Sequence, residues 1–159
     1  MYITTLEQSN YFNQSKWLVL TSCSFLIPAL YAYYINLYFY SILLIVTTIV
    51  SINHWIKPYY SWMRTADLIV AKFSFTIFAI NGLIYVKNMN CMLVSYLFLN
   101  AILLCYYYSL LLYKTKNHNW YKYHMTFHVL VMFEQLIVLY SIHTTTLNEY
   151  TIINCYKII

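Results

Sequence analysis

Two histidines, His124 and His128, stand four residues apart in the stretch 118–135, HNWYKYHMTFHVLVMFEQ, at the head of an apolar run. On a helix, side chains at i and i+4 stack on one face about 5–6 Å apart, so both imidazoles can reach one metal ion. On a soluble helix such a pair carries little weight. At the edge of an apolar span, where polar groups are costly, it calls for further ligands at the same depth. The other strongly polar residues in or beside apolar runs are Ser51, Asn53 and His54, then Asp67 and Lys72, then Glu134. Three imidazoles, His54, His124 and His128, match the donor set of a hydrolytic zinc, which keeps its fourth position for water and brings that water's pKa to about 7. Asp67 is the candidate to take the water's proton or to orient a ligand from behind. Ser51, three residues before His54 on the same helix face, is the candidate donor to a developing oxyanion.

Each of these residues also has a plainer role. A histidine at a membrane interface is often an anchor with one wet nitrogen. Asp67 follows Arg64 by three residues, a spacing that suits an ion pair or a helix start. A serine in a span usually bonds back to its own helix. Lys72 and Glu134 are read first as a structural ion pair facing the bundle interior. His118 falls in a loop and His143 near the opposite face, so neither is counted as a ligand.

The elements that must position these side chains are membrane spans. Of 159 residues, 62% are apolar and 8% charged, and the mean hydropathy is +0.60. Soluble domains carry roughly 25% charge, so the expectation is an integral membrane protein forming one bundle. The net charge of +5 does not indicate nucleic-acid binding, because the basic residues are scattered. Glycine occurs once and tyrosine twenty times. With abundant Ile and Asn, this bias reads as a very AT-rich genome, such as that of a large DNA virus or a protist.

Residues 1–16 are polar and show no signal-peptide pattern. Five spans can be drawn, at 17–35, 37–56, 66–87, 91–113 and 120–142, followed by a tail at 143–159. Each is near the roughly 20 residues that cross about 30 Å of hydrocarbon. Pro28 should kink the first span, and the connection at 34–37 demands a tight hairpin. Lys16, Lys57, Arg64, Lys114, Lys116 and Lys122 fall on the side of the N-terminus, against Lys87 and Lys157 opposite. The positive-inside rule then places the N-terminus in the cytosol. The sequon at Asn13 would face the unglycosylated side. Trp17, Trp55, Trp62 and Trp120 all fall at span ends on the N-terminal side, as an aromatic belt would place them. Cys23 and Cys105 lie within spans, while Cys91 and Cys155 share the far side and are either a disulfide or two free thiols. Span parity brings Ser51, His54, Asp67, His124 and His128 to one membrane face.

Ser-Ile-Asn-His at 51–54, Asp67 thirteen residues later and His124-x-x-x-His128 on the last span resemble the superfamily of alkaline ceramidases, adiponectin and progestin receptors, hemolysin-III-like proteins and myomaker relatives. The resemblance implies a zinc-dependent lipid amide hydrolase fold, with zinc on His54, His124 and His128 and with Asp67 and Ser51 at the zinc-bound water. The family's usual core has more helices than the five counted here, its Ser-to-His spacing is commonly one longer, and its ceramidases carry an N-terminal acidic cluster where this chain has only Glu7.

The sequence therefore predicts an all-α, five-span membrane bundle in contact with bilayer lipid, with a zinc site near the cytosolic face and a membrane lipid as substrate. The alternatives are a non-enzymatic membrane protein (receptor-like, fusion-related or a viral membrane factor) that keeps a structural zinc or no metal, and a bis-histidine haem protein, for which Asp67 and Ser51 are poor company.

Overall fold

The stretch 38–56 shows how such apolar segments fold against one another. It forms a helix whose buried residues recur at helical spacing: Ser41, Leu44, Thr47 and Thr48, Ser51, then His54 and Trp55. Ile42, Ile45, Val46 and Ile49 lie exposed on the other face. This reverses the pattern of a soluble helix. In lipid nothing is gained by hiding an aliphatic side chain, so helix interfaces are built from small residues that let backbones approach. Thr47 and Thr48 donate to the carbonyls of Leu43 and Leu44, which satisfies their hydroxyls within the helix.

The computed structural model describes the backbone of residues 5–56 and 61–156 and the side chains of 14–56 and 62–147. The helices are α1 (Thr5–Ser22), α2 (Leu26–Tyr34), α3 (Tyr38–Ile56), α4 (Ser61–Tyr85), α5 (Met89–Lys114) and α6 (Trp120–Tyr156). There is no strand among the described residues. Five stretches are long and apolar enough to cross a membrane: Gln14–Tyr34, Tyr38–Ile56, Trp62–Tyr85, Met89–Lys114 and Trp120–Leu147. The protein is an all-α membrane-type bundle, with its five spans where the sequence put them to within a turn or so.

Three local features depart from a plain set of rods. Pro28 cannot donate to the carbonyl four residues back, and its ring crowds that carbonyl. The first span answers with one 3-10 turn, Cys23–Phe25, between α1 and α2. The hairpin between α2 and α3 closes through Asn36 at φ 62°, with Leu37 N–H donating to Ala32 O at 2.8 Å and Asn36 N–H to Tyr33 O at 3.1 Å. That pair of bonds around a left-handed residue is a Schellman ending. Lys116, at φ 54°, ends α5 in the same way. Finally, α6 does not stop at 142 but continues as helix through the stretch 143–156 assigned to a tail. Thr144, Thr145 and Thr146 donate back to helix carbonyls there, and no Gly or Pro interrupts.

Buried side chains form three clusters along α6. One joins Ala29, Ala32, Leu44, Phe78, Val138 and Leu139. A second joins Phe25, Ile102, Val131 and Met132, and a third, at the opposite end, joins Leu18, Trp55 and Trp120. Gly82, the chain's only glycine, stands in α4 where an added Cβ would lie 3.4 Å from Val138 of α6. Helices α4 and α5 are consecutive, yet among the described residues they scarcely touch; α5 packs on α6, and α4 on α3 and α6. A cleft is left between them, floored by α6 and bridged near one end by Arg64 of α4 over the Tyr113 ring of α5, 5.9 Å from its centroid.

A polar site in the cleft between α4 and α5

The site is assembled where α3 ends and α4 and α6 begin, as span parity required. A cavity of about 250 Å³ in the cleft is lined by Ser51 from α3, Asp67 and Lys72 from α4, and His124, His128 and Gln135 from α6. Phe75, Ile102, Tyr106 and Phe127 supply apolar wall. The imidazoles of His124 and His128 meet with centroids 4.8 Å apart, the separation expected for stacked i and i+4 side chains.

Hydrogen bonds fix one of these rings. Thr21 Oγ1 donates to the carbonyls of Trp17 or Leu18, at 3.1 and 3.2 Å, and lies 3.1 Å from His128 Nδ1. A hydroxyl has one proton, so when that proton is on the backbone the ring nitrogen is the donor and Thr21 accepts. That arrangement gives His128 the Nδ1–H tautomer with Nε2 as a bare lone pair; with the Thr21 proton on Nδ1 the tautomer is the reverse. The first is the arrangement that orients a metal-binding histidine from behind. His124 Nδ1 lies 3.3 Å from Ser109 Oγ of α5.

Ser51 does not bond back to its own helix as the plain reading had it. Ser22 gives its proton to Leu18 O at 2.8 Å and lies 3.1 Å from Ser51 Oγ, while the Asp67 carboxyl faces Ser51 from α4. The Ser51 hydroxyl can therefore donate either to Ser22 or to Asp67. Arg64 forms no ion pair with Asp67 among the described residues and reaches toward Tyr113 instead.

His54 stands apart. It is buried, with Nδ1 lacking a hydrogen-bond partner, but it does not line the cavity. Its ring packs on Trp55 at 4.5 Å, and Trp55 meets His124 at 5.2 Å. As the side chains stand, no group of three or more His, Cys, Asp or Glu among the described residues is arranged to hold a metal ion. The donors nonetheless suit zinc in kind: three imidazoles at one end of the bundle, one with its outer nitrogen held and another with an orphaned buried nitrogen.

Several simpler expectations need correcting. Lys72 and Glu134 form no ion pair among the described residues. Lys72 lines the histidine cavity, whereas Glu134 lines a second one farther along the cleft. Of the four tryptophans expected in an aromatic belt, Trp17 and Trp62 are 47% and 65% exposed, whereas Trp55 and Trp120 are 6% and 7% exposed and pack beside the histidines. Trp120 Nε1 donates to Gln14 Oε1 at 3.1 Å, and Gln14 Nε2 lies 2.7 Å from His118 Nδ1. His118 is thus a structural clasp at the site's outer end. Cys91 is a free thiol; the side chain of Cys155 lies outside the described residues.

Sequence reasoning gave the first span no part in the site, yet Thr21 and Ser22 hold His128 and Ser51. The signal was legible as the cluster Thr21-Ser22-Cys23-Ser24 inside an apolar run. Ser109, eleven residues before α6 begins at Trp120, carried no such signal. No protein-family model matches the chain, and neither curated proteins nor solved structures give a match.

Proposed function

We propose that this membrane protein is a zinc-dependent hydrolase of an amide bond in a membrane lipid, with its site in the cleft between α4 and α5. The observation that carries the reading is the setting of His128, whose Nδ1 lies 3.1 Å from Thr21 Oγ1 while its ring stands 4.8 Å from that of His124, so that an Nδ1–H tautomer turns Nε2 into a ligand. His54, His124 and His128 would hold the metal, which supplies Lewis acidity toward a carbonyl oxygen. Asp67, set against Ser51 on the cavity wall, accepts the proton of an attacking water. Ser51 orients that carboxylate or donates to the oxyanion as it forms. Leu68 and Leu103, both exposed, flank the cavity, so a lipid can enter sideways from the bilayer without leaving it. The positive-inside rule supports a cytosolic orientation for this end.

A second reading has its own support. His54, His124 and His128 all pack on aromatic rings, those of Trp55, Phe127 and Phe25, as polar residues of a non-catalytic receptor-like or fusion-related membrane protein would. Metal analysis of detergent-purified protein separates the readings. The enzyme holds about one zinc per chain, loses it in His124→Ala, and releases fatty acid from amide-linked lipids. Asp67→Ala should retain zinc and lower turnover by about 100-fold or more. A wild type without zinc ends the hydrolase reading, and zinc without turnover favours the non-catalytic one.

A further inference from the structure

The cleft holds a second cavity, of about 160 Å³, that the histidine site does not use. It shares Phe75, Ile102, Val131 and Gln135 with the first and so continues it along α6. His128 and Gln135 are seven residues apart, about 10 Å along a helix axis. Its walls are largely apolar, with Phe78, Gly82, Leu83 and Leu99 among them. Three polar groups interrupt them: Glu134, Gln135 and Ser95. Glu134 Oε2 and Gln135 Oε1 are buried without a hydrogen-bond partner, and Ser95 Oγ, also buried, faces the Glu134 carboxyl, to which its hydroxyl can donate. Gln135 is itself only 3% exposed.

Orphaned buried polar atoms are uncommon because each costs about 1–3 kcal/mol. Two open acceptors in one pocket, Glu134 Oε2 and Gln135 Oε1, describe the complement of something absent. Ser95 Oγ keeps lone pairs when its proton goes to Glu134, so the missing partner is a donor of several hydrogen bonds. A positive charge is the partner that keeps a carboxylate ionised inside a span, and Lys72 does not supply it, since its side chain lines the neighbouring cavity. A primary ammonium has three donors and the required charge, and the surrounding wall suits an apolar body.

We infer that the pocket formed by Glu134, Gln135 and Ser95 binds a compact apolar primary amine, which enters from the bilayer through the cleft between α4 and α5. The ammonium contacts Glu134, with Gln135 and Ser95 taking the remaining donors. The site requires no metal, and its occupancy is independent of turnover at the histidines.

The test uses the full chain in detergent and cyclohexylamine as the probe, with thermal unfolding as the readout, because a ligand of the folded state raises Tm saturably. Cyclohexylamine should raise Tm in the wild type, and cyclohexanol and cyclohexanecarboxylate should not. Glu134→Gln keeps the shape and removes the charge, so the apparent affinity should fall about tenfold or more. Gln135→Leu should weaken the amine similarly, a check that does not touch the carboxylate. Equal responses to the amine and the alcohol, an amine response unchanged in Glu134→Gln, or no saturable response at all would each overturn the proposal. Zinc content measured on the same samples separates failure here from failure of the hydrolase reading.

Discussion

His128 takes its chemical character from a residue on another helix. Thr21 accepts from Nδ1–H when its own proton is directed to the α1 backbone. Thr21→Val therefore removes an acceptor without removing much volume. It should cost about 1–3 kcal/mol of stability through an orphaned buried N–H, read as a lower Tm in the metal-free protein. In zinc titrations it should also weaken metal affinity by about 10–100-fold. Unchanged zinc affinity would remove Thr21 from the site. The residues that line the polar cavity were legible in the sequence because charge and imidazole are rare in apolar runs, and Asp67, His124 and His128 stood out for that reason. Their supporting hydroxyls were harder to see. Serine and threonine occur throughout these spans, mostly bonded to their own helices, and only the packing distinguishes Thr21 and Ser109 from Thr76 or Thr126.

At the scale of elements, the spans were readable from hydropathy and length, and the hairpin at 34–37 from its brevity. What closes the hairpin is a backbone conformation: Asn36 in the left-handed region, with its Oδ1 accepting from the Tyr38 hydroxyl at 2.8 Å. A β-branched residue there meets its own carbonyl, at roughly 1–2 kcal/mol. Asn36→Val should thus lower the unfolding free energy by about that amount, whereas Asn36→Gly should stay within a few tenths of the wild type. Equal stability of the two variants in thermal or denaturant unfolding would contradict the Schellman ending. The continuation of α6 past 142 was hidden for a different reason. A hydropathy reading ends where apolar residues thin out, but a helix ends where its backbone bonds end, and Thr144–Thr146 sustain those bonds without hydrophobicity.

The bundle as a whole is asymmetric: α6 is the spine, α5 leans on it, and α4 leans on α3 and α6 without closing on α5. That openness was invisible in the sequence, because hydropathy places helices in a membrane without saying which neighbours they choose. Orientation can be tested at this scale. With most flanking Lys and Arg on the N-terminal side, an N-terminal tag on cells expressing the protein should be reached by an impermeant reagent only after permeabilisation. Labelling of intact cells would put the histidine end on the outer or luminal face.

The burial of Trp55 and Trp120 has an optical consequence. Two of the four indoles sit in the same aromatic cluster as the imidazoles, Trp55 within 5.2 Å of His124 and Trp120 within 6.3 Å, while Trp17 and Trp62 look outward. Indole emission is sensitive to a charge arriving on an adjacent ring. The protein thus carries its own reporter: one pair of fluorophores follows the state of the histidines, and the other pair serves as a built-in reference for the surrounding lipid or detergent.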